Sequence, residues 1–303
     1  MERDLLSVSI ITPTFNHAHR LREAVDSVLE QNYSQLEYRV IDGGSADQTQ
    51  ALLQQYTGRL AWISEPDRGQ TDAIIKGFKQ SCGEILGWLN ADDRYRTGAI
   101  ATAAQYFSDH PQVMLIYGDA CFIDSHGRQL GPCSQVEPFN YQRLLNISDF
   151  IVQPATFFRR SAYEAVGGLD AGLSWAMDYD LWLKIAKRFP VAYVPRVFAD
   201  YRWDGGNKTA TGGMSRLNEV EQVARRHGGK GLPSYFALEA AAMRANEVVE
   251  AIRQGSAIQA IKSAKSAAGH LLSTRTLGTL AERSTWRILE TRRKIRRRAS
   301  LLG

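Results

Sequence analysis

Between residues 8 and 89 the chain alternates short apolar runs with helical stretches, and this constrains the fold more than any other feature. Residues 8–12 are a β-branched run ended by Pro13. Residues 19–30 place Leu21, Ala24, Val25, Val28 and Leu29 on one helical face. A second strand over 37–42 stops at Gly43-Gly44, and a helix over 47–56 follows. A third strand over 60–63 ends near Pro66. A helix over 70–81 and a fourth strand over 84–89 complete the series. Strand–helix alternation at this spacing means crossover connections and a mostly parallel central sheet with helices on both faces. Such crossovers are right-handed and bury both faces of the sheet.

The pattern then changes. Residues 113–117 and 120–124 read as two short strands around Gly118-Asp119, with a hairpin turn at 125–128. An extended run over 151–159 precedes a short helix, a helix over 179–189, and further extended runs at 192–194 and 197–201. The Gly/Asn/Thr-rich stretch 205–213 is the expected boundary. Two units follow: an α/β domain over residues 1–210 and a helical appendage over 211–303. In the appendage, Leu238, Ala242, Ala245, Val249 and Ile252 share a helical stripe. Gly255 ends that helix, and Ile258, Ile261 and Leu271 mark a second one.

The chain has 44% hydrophobic and 23% charged residues among its 303, the balance of a globular protein rather than a disordered one. Charge is uneven. Residues 282–303 hold eight basic side chains against Glu282 and Glu290, so the rest of the chain is near neutral. A partner chosen by charge would therefore meet the tail, above all Arg292, Arg293, Lys294, Arg296, Arg297 and Arg298. An anionic membrane surface suits it, at about 1 kcal/mol per basic residue. A solvated tail is the plainer alternative. Nucleic acid is not expected, because Trp286 is its sole aromatic. Cys82, Cys121 and Cys133 have no CxxC spacing, and no run reaches about 18 apolar residues. The expected location is the cytoplasm, at most peripheral on a membrane.

In open parallel sheets ligands bind beyond the carboxyl ends of the strands. Thr12-Pro13-Thr14-Phe15-Asn16 follow the first strand, Asp42-Gly43-Gly44-Ser45 the second, and Asn90-Ala91-Asp92-Asp93 the fourth. Asp42 reads as an acceptor for a base N–H, or as a turn residue bonding its own backbone. Asp92 and Asp93 repel each other unless a cation lies beside them, which suits Mg²⁺ or Mn²⁺, or they cap the next helix. Asp178, at a helix start, is a candidate general base or an N-cap. Trp175 and Trp182 are a candidate sugar platform, or core. No GxGxxG fingerprint is present, which argues against a nicotinamide dinucleotide. The six histidines show no ligand spacing and read as surface residues.

Taken in order, these segments with Asp178-Tyr179-Asp180-Leu181-Trp182 resemble a family 2 glycosyltransferase of the GT-A fold, over residues 7–209. The resemblance implies inverting transfer of a sugar from a UDP-, dTDP- or GDP-linked donor to a hydroxyl of a glycan or lipid-linked acceptor, in bacterial surface polysaccharide synthesis. It implies that Thr12, Pro13, Thr14, Phe15, Asn16, Asp42, Gly43, Gly44, Asp72, Asn90, Ala91 and Asp92 bind the nucleotide sugar. Asp92, supported by Asp93, would hold the metal, and Asp178 would be the base. Gln153 and Trp182 would lie on the acceptor side. Three departures stand out: Asn90 replaces the first acid of DxD, Ile74-Ile75 replace an Arg-Asn pair, and Asp204 replaces a late His. A degenerate donor-binding protein docked on a membrane would show such losses. A sugar-phosphate nucleotidyltransferase would need a Gly- and Arg/Lys-rich loop after the first strand, which this chain lacks.

Overall fold

A computed structural model describes residues 5–271. The basic cluster at 292–298 lies outside them. In chain order the first elements are β1 (Val8–Thr14), α1 (Ala18–Leu29), β2 (Leu36–Asp42), α2 (Thr49–Gln54), β3 (Ala61–Ser64), α3 (Gln70–Lys79) and β4 (Ile85–Trp88). Next come β5 (Arg94–Tyr95), α4 (Ala99–Asp109), β6 (Leu115–Ile123), β7 (Gln129–Pro132), α5 (Tyr141–Asn146), a 3-10 turn (Gln153–Ala155) and β8 (Thr156–Arg159). The last are α6 (Arg160–Ala165), α7 (Met177–Arg188), β9 (Val191–Arg202), α8 (Lys208–Thr211), α9 (Gly213–Arg226), α10 (Ser234–Arg253) and α11 (Ala257–Leu271).

The strands form one sheet in the order β3-β2-β1-β4-β8-β6-β9-β5, with β7 paired to β6. Its first half, β3 through β4, is parallel, as the alternation requires. Its second half is mixed: β8 runs antiparallel to both neighbours, while β6 and β9 are parallel. Ile10 faces one apolar cluster with α1 and α4, and Ile11 the other with α3 and α7. Each central strand is therefore buried on both sides.

Three local readings differ from expectation. β1 runs through Pro13 instead of stopping before it. The N–H of Leu89 donates to Ile11 O, so odd-numbered residues of β1 face β4. The ladder to β4 ends at Ile11, just before Pro13, which lacks the N–H that would continue it. The two short strands around Gly118 are one strand, bent by a bulge at Gly118-Asp119 against β9. A Cβ at Gly118 would lie 2.5 Å from the Arg196 carbonyl, so only glycine admits that approach. The 192–194 and 197–201 runs likewise merge into β9.

α9 and the first turns of α10 supply Leu217, Val220, Val223, Tyr235 and Phe236 to the core cluster that includes α7. His227, expected on the surface, is 9% exposed and bonds Asp180 at 2.9 Å. Burial would raise the Asp180 carboxyl, but hydrogen bonds from His227 and Lys184 outweigh it and hold the group below its ordinary range. This pair clamps α9 onto α7.

Trp182 is fully buried and stacks on Trp88 at 5.5 Å between ring centroids. It is a core residue, not an acceptor-side one. Trp182→Ala should lower unfolding free energy by about 3–5 kcal/mol, read by urea denaturation. A loss under 1 kcal/mol would show that the stack is not a packing anchor.

Candidate active site

Two cavities open beyond the carboxyl ends of β1, β2 and β4. The larger, about 790 Å³, is lined by Pro13, Thr14, Phe15, His17, Gly43, Asp67, Asn90, Ala91 and Asp92, among others. The smaller, about 150 Å³, is lined by Asp149, Gln153, Trp175, Asp178, Trp203 and Arg216, among others. Gln70, Asn90, Tyr201, Lys208 and Thr209 line both.

The larger cavity follows the end of β1. Phe15 projects there, 58% exposed, and Asn16 takes φ 53°. The Asn16 Oδ1 accepts from Ala46 N at 2.9 Å, which joins the β1 loop to the β2 loop. Asp42 does not line this cavity. It is fully buried, accepting from Ser45 N at 3.1 Å, from Ser64 Oγ at 2.6 Å and from Ser45 Oγ. Its oxygens fasten β2 to β3, so the turn alternative describes it. At that corner the carboxylate facing the cavity is Asp67. A Cβ at Gly43 would lie 2.6 Å from Asp67 Oδ2, so glycine leaves the room that Asp67 fills.

Other predicted contacts also fall outside. Thr12 is buried and bonded to the Tyr38 hydroxyl at 2.9 Å. Asn16 and Gly44 shape the loop behind the wall, and Asp72 pairs with Arg68 at 3.1 Å. His17, expected on the surface, lines the cavity, as does Asp67, which the sequence did not single out. His17 ends the β1 loop, and Asp67 follows the end of β3, the one strand whose exit was not searched.

Asp92 faces the larger cavity while Asp93 turns away beneath it. Asp93 accepts from Arg202 N at 2.9 Å and from Asn90 Nδ2 at 3.3 Å. Burial, then the charge of Asp92, pushes its carboxyl well above the ordinary range. Burial also raises Asp92, with His17 and Arg20 opposing. A desolvated carboxylate of this kind favours a cation beside it. Among the described residues no three His, Cys, Asp or Glu side chains cluster as a metal cage. Mg²⁺ and Mn²⁺ need no such cage when substrate phosphates and waters complete the shell. Asp92 has the oxygen-donor chemistry that such an ion accepts.

The loop holding Asp92 is bolted to β9. Arg94 and Arg96 both pair with buried Asp200 at 2.7 Å. Arg202, 1% exposed in its side chain, donates to Asp92 O at 2.8 Å, to Asp124 O at 2.7 Å and to Glu23 Oε2 at 2.7 Å. Asp204, the residue at the late His place, is ion-paired with Arg20.

In the smaller cavity, Asp178 is oriented by Tyr179 N–H at 2.8 Å. Burial raises its carboxyl, against the Tyr179 N–H and the charges of Lys208 and Arg216. Asp149, unread in the sequence, faces the same cavity. Burial and then the Asp178 charge push it well above the ordinary range. Arg216 bonds Glu239 at 2.6 Å and lies over Phe236, and its buried Nε has no partner. Trp175 and Trp203 supply aromatic faces, the role that Trp182 does not fill.

The α/β sheet is of the GT-A type, and solved glycosyltransferases share this fold. The structure matches S. aureus TarS 1-349 in complex with UDP-GlcNAc at a TM-score of 0.62 and 15% identity, covering 96% of this chain and 88% of that one. It matches the mannosyltransferase PcManGT from Pyrobaculum calidifontis, in complex with GDP-Man and Mn²⁺, at 0.60 and 20%, covering 97% and 88%. At the sequence level, residues 9–167 match Glycosyl transferase family 2, and the chain belongs to that family. A glycosyltransferase of Mycobacterium tuberculosis is 32% identical over 184 residues, 59% of this chain and 69% of that protein. A PGL/p-HBAD biosynthesis glycosyltransferase of Mycobacterium bovis is 29% identical over 205 residues, 65% and 77%.

Arg202→Met should cost about 2–4 kcal/mol, because it leaves the Asp92 and Asp124 carbonyls without that donor, while half-exposed Glu23 keeps Arg94 at 3.8 Å. Chemical denaturation reads this directly. Unchanged stability would mean the loop holds itself.

Proposed function

We propose that this family 2 glycosyltransferase transfers a sugar, with inversion, from a nucleoside diphosphate sugar in the larger cavity to an acceptor hydroxyl in the smaller one. The observation that supports it best is the junction of the two cavities: Asp92 stands in one, Asp178 in the other, and the same five residues line both. The solved relatives bound to UDP-GlcNAc or GDP-Man support a donor of this chemistry. Base and sugar are left open by both cavities.

In this reading Phe15, exposed at the rim, and Asp67 contact the nucleoside. Asp92 would hold a Mg²⁺ or Mn²⁺ ion, which when bound offsets the charge of the diphosphate leaving group. Asp178 removes the proton from the acceptor hydroxyl as that oxygen attacks the anomeric carbon from the face opposite the diphosphate. One carboxylate suffices for a single displacement. Asp149, which burial and the Asp178 charge push well above the ordinary range, is the less suited of the two to act as the base. Trp175 and Trp203 give the acceptor sugar ring aromatic faces.

A thermal-shift screen of UDP, GDP and dTDP with and without Mn²⁺ tests the donor site. One nucleotide should raise the melting temperature, more so with Mn²⁺, and Asp92→Ala should remove the metal-dependent part. Asp178→Asn should keep that shift and lose transfer by about 1000-fold or more. Wild-type transfer should fall on the acid side at a pH above about 4, the ordinary carboxylate value, because the base must be ionised and burial raises it. If no nucleoside diphosphate shifts the protein at millimolar concentration, the donor-site reading fails; binding without any transfer would favour the degenerate reading.

We also propose that the appendage docks on an anionic bilayer. No helix among the described residues is long and apolar enough to cross a membrane. Val249, Ile252, Ile258 and Ile261, between 48% and 72% exposed, flank the turn joining α10 and α11. The basic segment 282–303 follows in sequence. Apolar insertion combined with basic charge is the interfacial pattern. Vesicles containing phosphatidylglycerol should co-sediment the full chain and pure phosphatidylcholine should not. The double variant Ile258→Asp with Ile261→Asp should weaken binding. Equal binding to both vesicles would end this proposal.

A further inference from the structure

We infer that Lys208 is the protein's own charge partner for the donor diphosphate, standing where the two cavities meet. The inference rests on the donor-site reading above.

Three observations support it. First, Lys208 lines both cavities, and it is the only Lys or Arg among the described residues that does. Its ammonium lies 5.4 Å from the Trp175 ring centroid and donates to Gln70 Oε1 at 2.8 Å.

Second, its neighbours in charge are committed elsewhere. Arg20 pairs with Asp204, Arg94 and Arg96 with Asp200, and Arg202 with Glu23. Arg68, which also lines the larger cavity, pairs with Asp72. Among the described residues Lys208 forms no ion pair, although the charges of Asp178 and Glu219 act on it. Its single hydrogen-bond partner is a neutral amide.

Third, the wall between the cavities is neutral. Gln70 Nε2 donates to Asn90 Oδ1 at 2.7 Å, and Asn90 Nδ2 to Gln153 Oε1 at 3.0 Å. Gln153 Nε2 donates in turn to Trp88 O at 2.7 Å. Lys208 is the charged end of this amide chain. Asn90 serves as a link in it rather than as a second acid. A diphosphate reaching the junction would meet Asp92 on the side of the larger cavity, Asp178 on the side of the smaller one, and one ammonium, Lys208.

The chemistry follows. As the bond from the anomeric carbon to the diphosphate oxygen breaks, negative charge grows on that oxygen, and a preplaced cation lowers the barrier. Lysine suits this place because its ammonium is a compact charge on a flexible stem. Gln70 and Trp175 hold that stem over the junction without neutralising it.

The test measures nucleotide binding calorimetrically in EDTA. It compares UDP, GDP and dTDP with the matching monophosphates for full-length wild type, Lys208→Met and Lys208→Arg. Methionine keeps the unbranched stem over Trp175 and removes only the charge. Wild type should prefer the diphosphate in EDTA. Lys208→Met should bind it about 10- to 100-fold more weakly, bind the monophosphate within about two-fold of wild type, and so lose the preference. Lys208→Arg should restore most of it.

A preference that survives in Lys208→Met, or is absent from wild type in EDTA, overturns the inference while leaving the donor site intact. A parallel loss of monophosphate binding would show that Lys208 shapes the cavity instead, and also overturns it. Failure of the donor-site reading looks different: no nucleotide binds wild type in EDTA or in Mn²⁺.

Discussion

Everything at the sheet edge depends on one buried guanidinium. Arg202 ends β9, far along the chain from the loop after β4, yet its backbone N–H and side chain meet that loop at Asp93 and Asp92. The same side chain reaches Asp124 beyond β6 and Glu23 on α1. A planar group with five fixed donors can join three elements at set angles, which a lysine cannot do. Without it, the loop would keep only the Arg94 and Arg96 pairs with Asp200 and the Asn90 bond to Asp93. Arg202 holds Asp93 inward, and so Asp92 is the acid turned to solvent.

Charge at the two cavities is arranged by subtraction. Most cations around the loop are neutralised by partners: Asp200 takes two arginines and Asp204 another. Three carboxylates in the cavities, Asp92, Asp149 and Asp178, are pushed upward by burial. Such groups are costly in the empty fold and gain most from a cationic or hydrogen-bonding ligand. A site left under-compensated in this way binds charge rather than adding stability, which is the division of labour that the proposed transfer requires.

Much of the architecture was legible. The apolar runs and helical periods from residue 8 to 89 placed three βα units and their parallel sheet, because period and β-branching act locally. The second half was less so. Antiparallel β8 between β4 and β6 leaves no local mark, and neither does the bulge that joins two apparent strands into β6. The site was legible by rule and misread by residue. Searching after strand ends located Pro13, Thr14, Phe15, Gly43 and Asp92 on the cavity wall. It also brought in Thr12 and Asp42, whose side chains point into the sheet. Trp182 sits in the motif expected at the acceptor side, but the helical register of α7 turns it into the core.

The amino-acid sequence by itself determined the order of strands and helices, and with it the edge of the sheet where polar loops must gather. It also determined which acids were present there to be used. Only the tertiary structure decided which of them face a ligand. Orientation at a strand end depends on partners from distant parts of the chain: Ser64 on β3 for Asp42, and Arg202 on β9 for Asp93. Asp149 and Lys208 entered the site in the same way, brought beside Asp178 and Asn90 by the folding of segments that no local pattern connects.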